Sequence, residues 1–272
     1  MTITKTKTKP KIIVPIRYIG GKTKAINKIL KQHIPENYTD FREPFIGGGS
    51  VSLYYSQLHP ERNYWINDIN KNLITFWKTL QEQPDDLVER IFYYRDNYLT
   101  YDEGYELRDI TQTNLKSKNT DDFTKAVSYF IMNRCSYMGM EYSYADSAFR
   151  TNFTPNNIEK LLKIAEIIKN WKITNYDYSE LYKDTTDNTF IYNDPPYLLP
   201  KGKNKLYGNK GEFHKNFNHD DFQNNISNTI CRWMISYNIE MKDRYKDFNT
   251  IEWTQFYGMS NSSKVEILVK NY

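Results

Sequence analysis

A run of five residues near position 195 has the side chains and the backbone needed to hold a planar amine. The run reads Asn193, Asp194, Pro195, Pro196 and Tyr197. Pro196 has a fixed φ and no N–H, and Pro195 is held extended because it precedes a proline, so their carbonyl groups point in set directions. An exocyclic NH2 group can donate one hydrogen to Asp194 and the other to the Pro195 carbonyl, while Tyr197 stacks on the attached ring. We therefore predict catalytic roles for Asp194, Pro195, Pro196 and Tyr197.

The alternative is that Asp-Pro-Pro-Tyr forms only a turn, because Asp and Pro are both common in turns. With residue frequencies of roughly 5% each, a fixed tetrapeptide arises by chance on the order of once in a thousand chains of this length. This rarity favours the functional interpretation.

The residues before this run predict a buried strand that carries it. Residues 189–192 read Thr-Phe-Ile-Tyr, an apolar and partly β-branched stretch, and Asn193 and Asp194 emerge at its carboxyl end. Ligand sites in open α/β sheets lie at that end of the strands.

A glycine run earlier in the chain predicts the start of a nucleotide-binding βαβ unit. The expected elements are a strand at 39–45, a turn at Gly47, Gly48 and Gly49, a helix at 50–58 with Ser50 as its N-cap, and a strand at 64–67. Asp68 follows about 20 residues after the glycines, where such units place a carboxylate against ribose hydroxyls. The dinucleotide fingerprint is incomplete because its final spaced glycine is missing, so a glycine loop that serves only sheet geometry remains the alternative.

The segment Gly20-Gly21-Lys22 is not a phosphate-binding P-loop, because Ile16 stands where that motif requires a glycine. Lys22 instead suits pairing with an anionic carboxylate near the start of the helix predicted at 22–33.

Composition limits the class of protein. The chain has 272 residues, a net charge of +4 and 24 tyrosines, which permits a nucleic-acid partner without requiring one. Its two cysteines and four histidines are scattered, so we expect neither disulfides nor a metal site. No apolar run reaches the roughly 20 residues that span a bilayer, and we expect a soluble, cytoplasmic protein.

The middle of the chain changes character. Polar helical segments at 85–97, 102–115 and 121–134 follow one another without an obvious strand, which indicates an inserted helical lobe at 81–154. Residues 1–80 and 155–272 would then form the α/β part. Its later strands, at 172–176, 189–193, 231–237, 250–257 and 264–272, suggest a mainly parallel sheet with an antiparallel edge.

Taken together, the motifs resemble the Dam-like (D12 class) adenine-N6 DNA methyltransferases, and their order along the chain matches too. The matching segments are Arg17 to Lys22, Glu43 to Gly49, Asn67-Asp68, Asn133-Arg134 and Asn193 to Tyr197. The resemblance covers nearly the whole chain. It implies a Rossmann-like S-adenosylmethionine-dependent methyltransferase sheet at 1–80 and 155–272, a helical target-recognition lobe at 81–154, and a flipped adenine in double-stranded DNA as substrate.

The resemblance also implies roles for single residues. The cofactor S-adenosylmethionine would contact Tyr18, Gly20, Lys22, Phe45, Gly47, Gly49, Asp68 and Asp177. DNA would contact Asn133 and Arg134 at the edge of the lobe. Basic and aromatic residues after the catalytic run also suit a clamp on the DNA backbone: Lys205, Tyr207, His214, Lys215 and Phe217. A solvated lysine loop is the alternative for that segment. Two contexts remain open for such an enzyme: action beside a separately acting restriction endonuclease, and action as a solitary methylase.

Other reactions stay open at this point. Cytosine-N4 transfer uses similar amine chemistry, although those enzymes more often carry Ser at the Asp194 position, and RNA or a protein glutamine amide are chemically possible acceptors. Neither cysteine follows a proline, so the Pro-Cys nucleophile of cytosine-C5 methylases is absent. The alternative from another class is a catalytically silent DNA-binding protein on a methylase scaffold.

Overall fold

The structure is a computed structural model that describes residues 10–139, 144–198, 217–257 and 262–272. The described residues form one seven-stranded sheet with the order β3-β2-β1-β4-β5-β7-β6. The strands are β1 (Asp40–Glu43), β2 (Asn63–Asn67), β3 (Lys172–Thr174), β4 (Thr189–Asn193), β5 (Arg232–Asn238), β6 (Asn249–Tyr257) and β7 (Ser262–Lys270). The first five strands pair in parallel. Strand β7 is antiparallel to both β5 and β6, which confirms the predicted antiparallel edge.

Helices flank the sheet. The first, α1, comprises Thr23–Ala25, a π-helical turn Ile26–Leu30 and Lys31–His33. The others are α2 (Ser50–Leu58), α3 (Lys71–Glu82), α4 (Pro84–Asn97), α5 (Tyr101–Lys116), α6 (Asp122–Cys135), α7 (Asp146–Asn152), α8 (Pro155–Ile168) and α9 (His219–Ser227). Short 3-10 turns occupy Tyr137–Gly139, Tyr178–Tyr182 and Ile239–Tyr245. No helix among the described residues combines the length and the apolar character needed to cross a bilayer.

The strand order explains where a ligand would bind. From β1 the chain builds outward through β2 to β3 and then returns to place β4 on the other side of β1. This reversal between β1 and β4 leaves a crevice at the carboxyl ends of the two strands, which is where open α/β sheets hold their ligands. The two motifs with the most specific sequences follow directly after these strands.

The two faces of β4 are buried against different cores. Phe190 and Tyr192 join the larger apolar cluster, whereas Ile191 joins the smaller one with Phe222 of α9. All three side chains have no solvent exposure, because successive side chains of a strand point to opposite faces and both faces of this strand are covered. The strand that leads into the Asp-Pro-Pro-Tyr run is therefore covered on both faces.

The helical segment at 81–154 shares its core with the sheet. Leu87 of α4, Leu107 of α5 and Phe130 of α6 lie in the same apolar cluster as Phe41 of β1. The ring of Phe130 stacks on Phe76 of α3 with centroids 5.9 Å apart. The segment contains no strand among its described residues, as expected from its sequence, and its helices extend a core that begins at the sheet.

The prediction that Ser50 caps α2 is wrong. Gly49 occupies the N-cap position with φ 69°, and Ser50 is already the first helical residue. The Ser52 N–H is satisfied from outside the helix, by the Glu43 carboxylate at 3.1 Å, and the Ser52 hydroxyl donates to the same oxygen. Glu43 thus joins the end of β1 to the start of α2 and closes the glycine turn between them.

Candidate active site

A cleft of about 950 Å³ opens at the carboxyl ends of β1 and β4. The residues predicted to be catalytic or to bind a cofactor all line it: Tyr18, Gly20, Lys22, Phe45, Gly47, Gly49, Asp68, Asp177, Asp194, Pro195, Pro196 and Tyr197. Phe217 lines it as well. The glycine turn and the catalytic run, about 150 positions apart in the chain, therefore face one shared space.

Asp194 lies on the floor of this cleft, where it is paired with Lys22. The Lys22 Nζ is 2.7 Å from Asp194 Oδ2 and also donates to the Gly20 carbonyl at 2.7 Å. The same ammonium lies 5.2 Å from the centre of the Tyr197 ring. Desolvation raises the pKa of Asp194 above its usual value, and Lys22 opposes that shift. A group that donates to Asp194 must share this carboxylate with Lys22 or displace it.

The glycine turn between β1 and α2 has a shape that only glycine allows. Gly47 has φ 46° and Gly49 has φ 69°, both in the left-handed region. A Cβ at Gly47 would lie 2.8 Å from the Tyr18 ring, and one at Gly49 would lie 2.8 Å from the Trp77 ring. The Trp77 Nε1 also donates to the Gly47 carbonyl at 3.2 Å. The turn is therefore packed on two aromatic rings and exposes backbone to the cleft.

Asp68 stands at the end of β2 and holds the turn from below. Its Oδ2 accepts the Gly47 N–H at 3.1 Å, and its Oδ1 accepts the Asn70 N–H at 3.0 Å. The carboxylate is buried yet lines the cleft. A contact between Asp68 and ribose hydroxyls stays a prediction. In the structure Asp68 also stabilises the glycine turn.

Aromatic rings form one wall of the cleft near Asp177. The rings of Phe45 and Tyr178 stack with centroids 5.6 Å apart, and Phe217 and Phe222 pack against both. Asp177 caps the 3-10 turn that begins at Tyr178 by accepting the Ser179 N–H at 3.0 Å. Tyr178 was not predicted as a site residue, although it directly follows Asp177.

Sequence reasoning also missed two buried carboxylates. Glu43 lines the cleft, and burial raises its pKa to about 8, while the hydrogen bond from Ser52 acts against that shift. Glu266 on β7 accepts the Tyr197 hydroxyl at 3.4 Å. Each side chain is only 3% exposed. Glu43 stands within the segment Glu43 to Gly49 that carries the glycine motif, whereas the signal for Glu266 is one acid directly before the apolar run Ile267 to Val269.

Asn133 and Arg134, predicted to contact DNA, lie in the interior. Asn133 is fully buried and exchanges hydrogen bonds with the backbone of Arg17, accepting at 2.8 Å and donating at 2.7 Å. Arg134 is 6% exposed and donates to the Pro15 carbonyl. In this arrangement both hold the segment that leads to Tyr18, and a DNA contact by either residue stays a prediction. The predicted clamp residues Lys205, Tyr207, His214 and Lys215 lie outside the described residues.

Comparison with known proteins decides which reaction this geometry serves. Residues 18–259 match the family model described as D12 class N6 adenine-specific DNA methyltransferase. The chain belongs to this family. The match includes the Gly20-Lys22 segment, the glycine turn and the catalytic run, so the resemblance inferred from the motifs is confirmed.

Curated relatives of this methyltransferase span most of its length. The type II methyltransferase M.MjaIII of Methanocaldococcus jannaschii is 28% identical over 86% of this chain and 88% of its own. The type II methyltransferase M1.LlaDCHI of Lactococcus lactis subsp. cremoris is 27% identical over 94% of each chain. The DNA adenine methylase of Escherichia coli strain K12 is 26% identical over 67% of this chain and 64% of its own.

The site of this methyltransferase offers hydrogen-bond acceptors, an aromatic face and a glycine turn open to close approach. No cluster of acids, histidines and cysteines suited to a metal ion occurs in the part of the chain that the structure describes. The acceptors and the aromatic face of the cleft can orient an amine and stabilise developing charge.

Proposed function

We propose that this enzyme transfers the methyl group of S-adenosylmethionine to N6 of an adenine flipped out of duplex DNA. The observation that carries the proposal is the shared cleft, in which Asp194 and the glycine turn after Phe45 face each other. An amine donor held by Asp194 and a methyl donor seated on the turn would then lie next to each other. Family membership supplies the class of acceptor.

The residues of the cleft fit the proposed cofactor. The glycine turn borders the cleft, so its backbone lies within reach of a ligand. The carboxyl groups of Asp68 and Asp194 border the space where a cationic sulfonium would lie, and the rings of Phe45 and Tyr178 offer apolar area to a purine. When bound, S-adenosylmethionine supplies a methyl group on a positively charged sulfur.

We assign the cofactor contacts to two groups of residues. Tyr18, Gly20 and Lys22 would meet its methionine end, where the Lys22 ammonium suits a carboxylate. Phe45, Gly47, Gly49, Asp68 and Asp177 would line the nucleoside end. Each of these residues borders the cleft, which supports the assignment.

The catalytic residues act on the target amine. The lone pair of the adenine N6 feeds the ring, so the amine is a weak nucleophile. Hydrogen bonds from N6 to Asp194 and to the Pro195 carbonyl favour a more tetrahedral nitrogen, and stacking on Tyr197 fixes the ring for in-line attack. The bond from N6 to the methyl carbon forms as the bond between that carbon and sulfur breaks, and the methylated nitrogen then releases one proton to solvent. Asp194 serves as an acceptor and orienter. Its oxygens become available when the amine displaces Lys22, which now occupies Oδ2.

Replacing Asp194 by Ala tests the proposal. We expect incorporation of tritiated methyl groups into plasmid DNA to fall by at least about 100-fold, because the main acceptor for the amine is removed. Calorimetric titration should still detect S-adenosylmethionine binding. Retained methyl transfer by this variant would contradict the assigned role of Asp194.

Analysis of the product separates the remaining reactions. Digestion of the methylated nucleic acid to nucleosides should yield N6-methyladenine from DNA, and neither N4-methylcytosine nor methylated RNA nucleosides. If the wild-type protein bound DNA but no S-adenosylmethionine, the silent DNA-binding alternative would replace this proposal.

We further propose that the enzyme works on cellular DNA, with a separately acting restriction endonuclease of the same specificity as its partner. Two relatives are named type II methyltransferases, which favours this context, whereas the Escherichia coli relative is named only as a DNA adenine methylase. Single-molecule sequencing of DNA from expressing cells would give the recognition sequence. An extract of the source cells that cleaves this sequence only when it is unmethylated would identify the partner.

A further inference from the structure

The Tyr197 hydroxyl lies between two carboxylates. It donates to Glu266 Oε2 at 3.4 Å. It is also close enough to hydrogen-bond to Asp194, where that bond favours the ionised form of the carboxyl group. A phenol has one proton to donate, so it serves only one of the two acids at a time. The direction of this O–H therefore decides how many acceptor positions Asp194 has left for another donor.

Glu266 is built into the fold at this point. It lies on β7, is 3% exposed, and is followed by Ile267, Leu268 and Val269, which are fully buried. A carboxyl group in such an interior strand is costly unless it makes a defined polar interaction. One such interaction comes from Tyr197, which lies four residues after the end of β4.

A ring contact with Tyr237 also restricts the Tyr197 ring. The Tyr237 ring of β5 packs against it with centroids 5.9 Å apart and an interplanar angle of 53°. Tyr237 is itself fully buried and shares a hydrogen bond of 2.8 Å with His219 of α9. Because one side of the Tyr197 ring packs on Tyr237, the hydrogen bond made by its hydroxyl group fixes the rest of the ring orientation.

We propose that Glu266 is a positioning residue for methyl transfer. It accepts the hydrogen bond of the Tyr197 hydroxyl, fixes the stacking face for the target base, and leaves the Asp194 oxygens to the target amine. The inference depends on the proposed function, because it concerns the same amine and the same stacking ring.

The charge of Glu266 has a second effect, on the basicity of Asp194. Glu266 raises the pKa of Asp194, whereas Lys22 and the Tyr197 hydroxyl lower it. A more basic carboxylate accepts a stronger hydrogen bond from an amine. The titratable or charged groups that act on Asp194 or border it are Lys22, Glu43, Tyr192, Tyr197 and Glu266.

Two substitutions separate the acceptor role of Glu266 from its charge. Glu266→Gln loses the charge and keeps an oxygen that can accept from Tyr197, whereas Glu266→Met is similar in length and lacks a strong acceptor. Both are combined with Tyr197→Phe, which removes the hydroxyl. The measured quantity is kcat on unmethylated plasmid DNA at saturating S-adenosylmethionine, with calorimetric cofactor binding and thermal unfolding recorded for each variant.

The ratio of kcat between the Gln and Met variants is the decisive number. We expect it to be roughly tenfold in the Tyr197 background, the effect of about one hydrogen bond, and close to one in the Tyr197→Phe background. Cofactor affinity should change little in any of the four. A ratio that is the same in both backgrounds would mean that Glu266 acts through packing alone, and the inference would be abandoned.

The pH profile gives an independent reading that does not need the Met variant to fold. Removing the charge in Glu266→Gln lowers the pKa of Asp194, so the acid limb of kcat should move to lower pH. An acid limb that stays where it is in the wild type would contradict the inference. Failure of the proposed function is recognised separately, since the wild-type product would then contain no N6-methyladenine.

Discussion

Most of the residues that we propose to carry the chemistry were visible in the sequence. Asp194, Tyr197 and the glycines of the turn stand in short motifs whose residue types already indicate an amine and a close-packed ligand. Their partners were not visible in the same way. The ion pair between Lys22 and Asp194 joins positions 172 residues apart. Neither local sequence predicts this pairing.

The pairing of Lys22 with Asp194 predicts a pH effect. Lys22 lowers the pKa of Asp194, so replacing it by Met raises that pKa further. Because Asp194 must be ionised to accept from the amine, the acid limb of kcat/KM for DNA in Lys22→Met should move to higher pH, the direction opposite to that expected for Glu266→Gln. This parameter reports the enzyme before the amine displaces Lys22. The profile should be recorded at saturating cofactor, since Lys22 is also proposed to bind it.

Lys24→Met is the matched control for this experiment. Lys24 lies two residues further along, on the exposed side of α1 and outside the lining of the cleft. Its acid limb should coincide with that of the wild type. An unchanged profile in Lys22→Met would show that the ammonium does not act on Asp194.

Secondary-structure elements place these residues, and here the junction of β1 with α2 is the most informative. The predicted N-cap at Ser50 failed because the chain enters α2 through Gly49 in the left-handed region, at a position where the Trp77 ring leaves no room for a Cβ. The N–H that a cap would have satisfied is instead bound by Glu43 from the preceding strand. Local propensity indicated that a helix starts near Ser50, while the tertiary contact decided how it starts.

Glu43 predicts how stability changes with pH. Its pKa is about 8 in the folded protein and 4.5 as the unperturbed value, so the unfolded chain releases this proton first as pH rises. The wild type should therefore lose stability between about pH 4.5 and 8, by at most about 1.4 kcal/mol per pH unit from this group.

Glu43→Gln removes that titration. The free energy of unfolding of the variant and of the wild type is measured in urea at pH 5 and at pH 8. The difference, variant minus wild type, should be more positive at pH 8 than at pH 5. Parallel changes in the two proteins over this range would mean that Glu43 ionises in the folded state as readily as in the unfolded chain.

Across the whole molecule, sheet and helical segment share one core. Phe130 of α6 is fully buried against Phe76 of α3, and the same apolar cluster continues to Phe41 of β1. The proposed target-recognition lobe at 81–154 would therefore have a separate surface but share its apolar core with the sheet. Such continuity favours one cooperative unfolding unit.

Phe130→Ala tests this unity. We expect it to cost about 3–5 kcal/mol of stability, the range for a buried Phe, and to shift the entire transition. The five tryptophans all lie outside residues 81–154, at 65, 77, 171, 233 and 253. Tryptophan fluorescence therefore reports the remainder of the chain, while far-UV circular dichroism also reports the helical segment.

Coincidence of the two signals in the wild type and in Phe130→Ala is the expected outcome. Leu162→Ala, at a partly exposed position on α8, is the comparison and should cost far less. A dichroism transition that precedes the fluorescence transition would show that the helical segment unfolds on its own.

The sequence alone was sufficient for the alternation of strands and helices, for the two motifs at strand ends and for the family, because these depend on local periodicity and on short runs of defined residues. The tertiary structure decided the strand order, the pairing of Lys22 with Asp194, the burial of Asn133 and Arg134, and the approach of Glu266 to Tyr197. These depend on which strands become neighbours. A carboxylate on the last strand meets a tyrosine that follows the fourth only once the sheet has placed β7 beside β5.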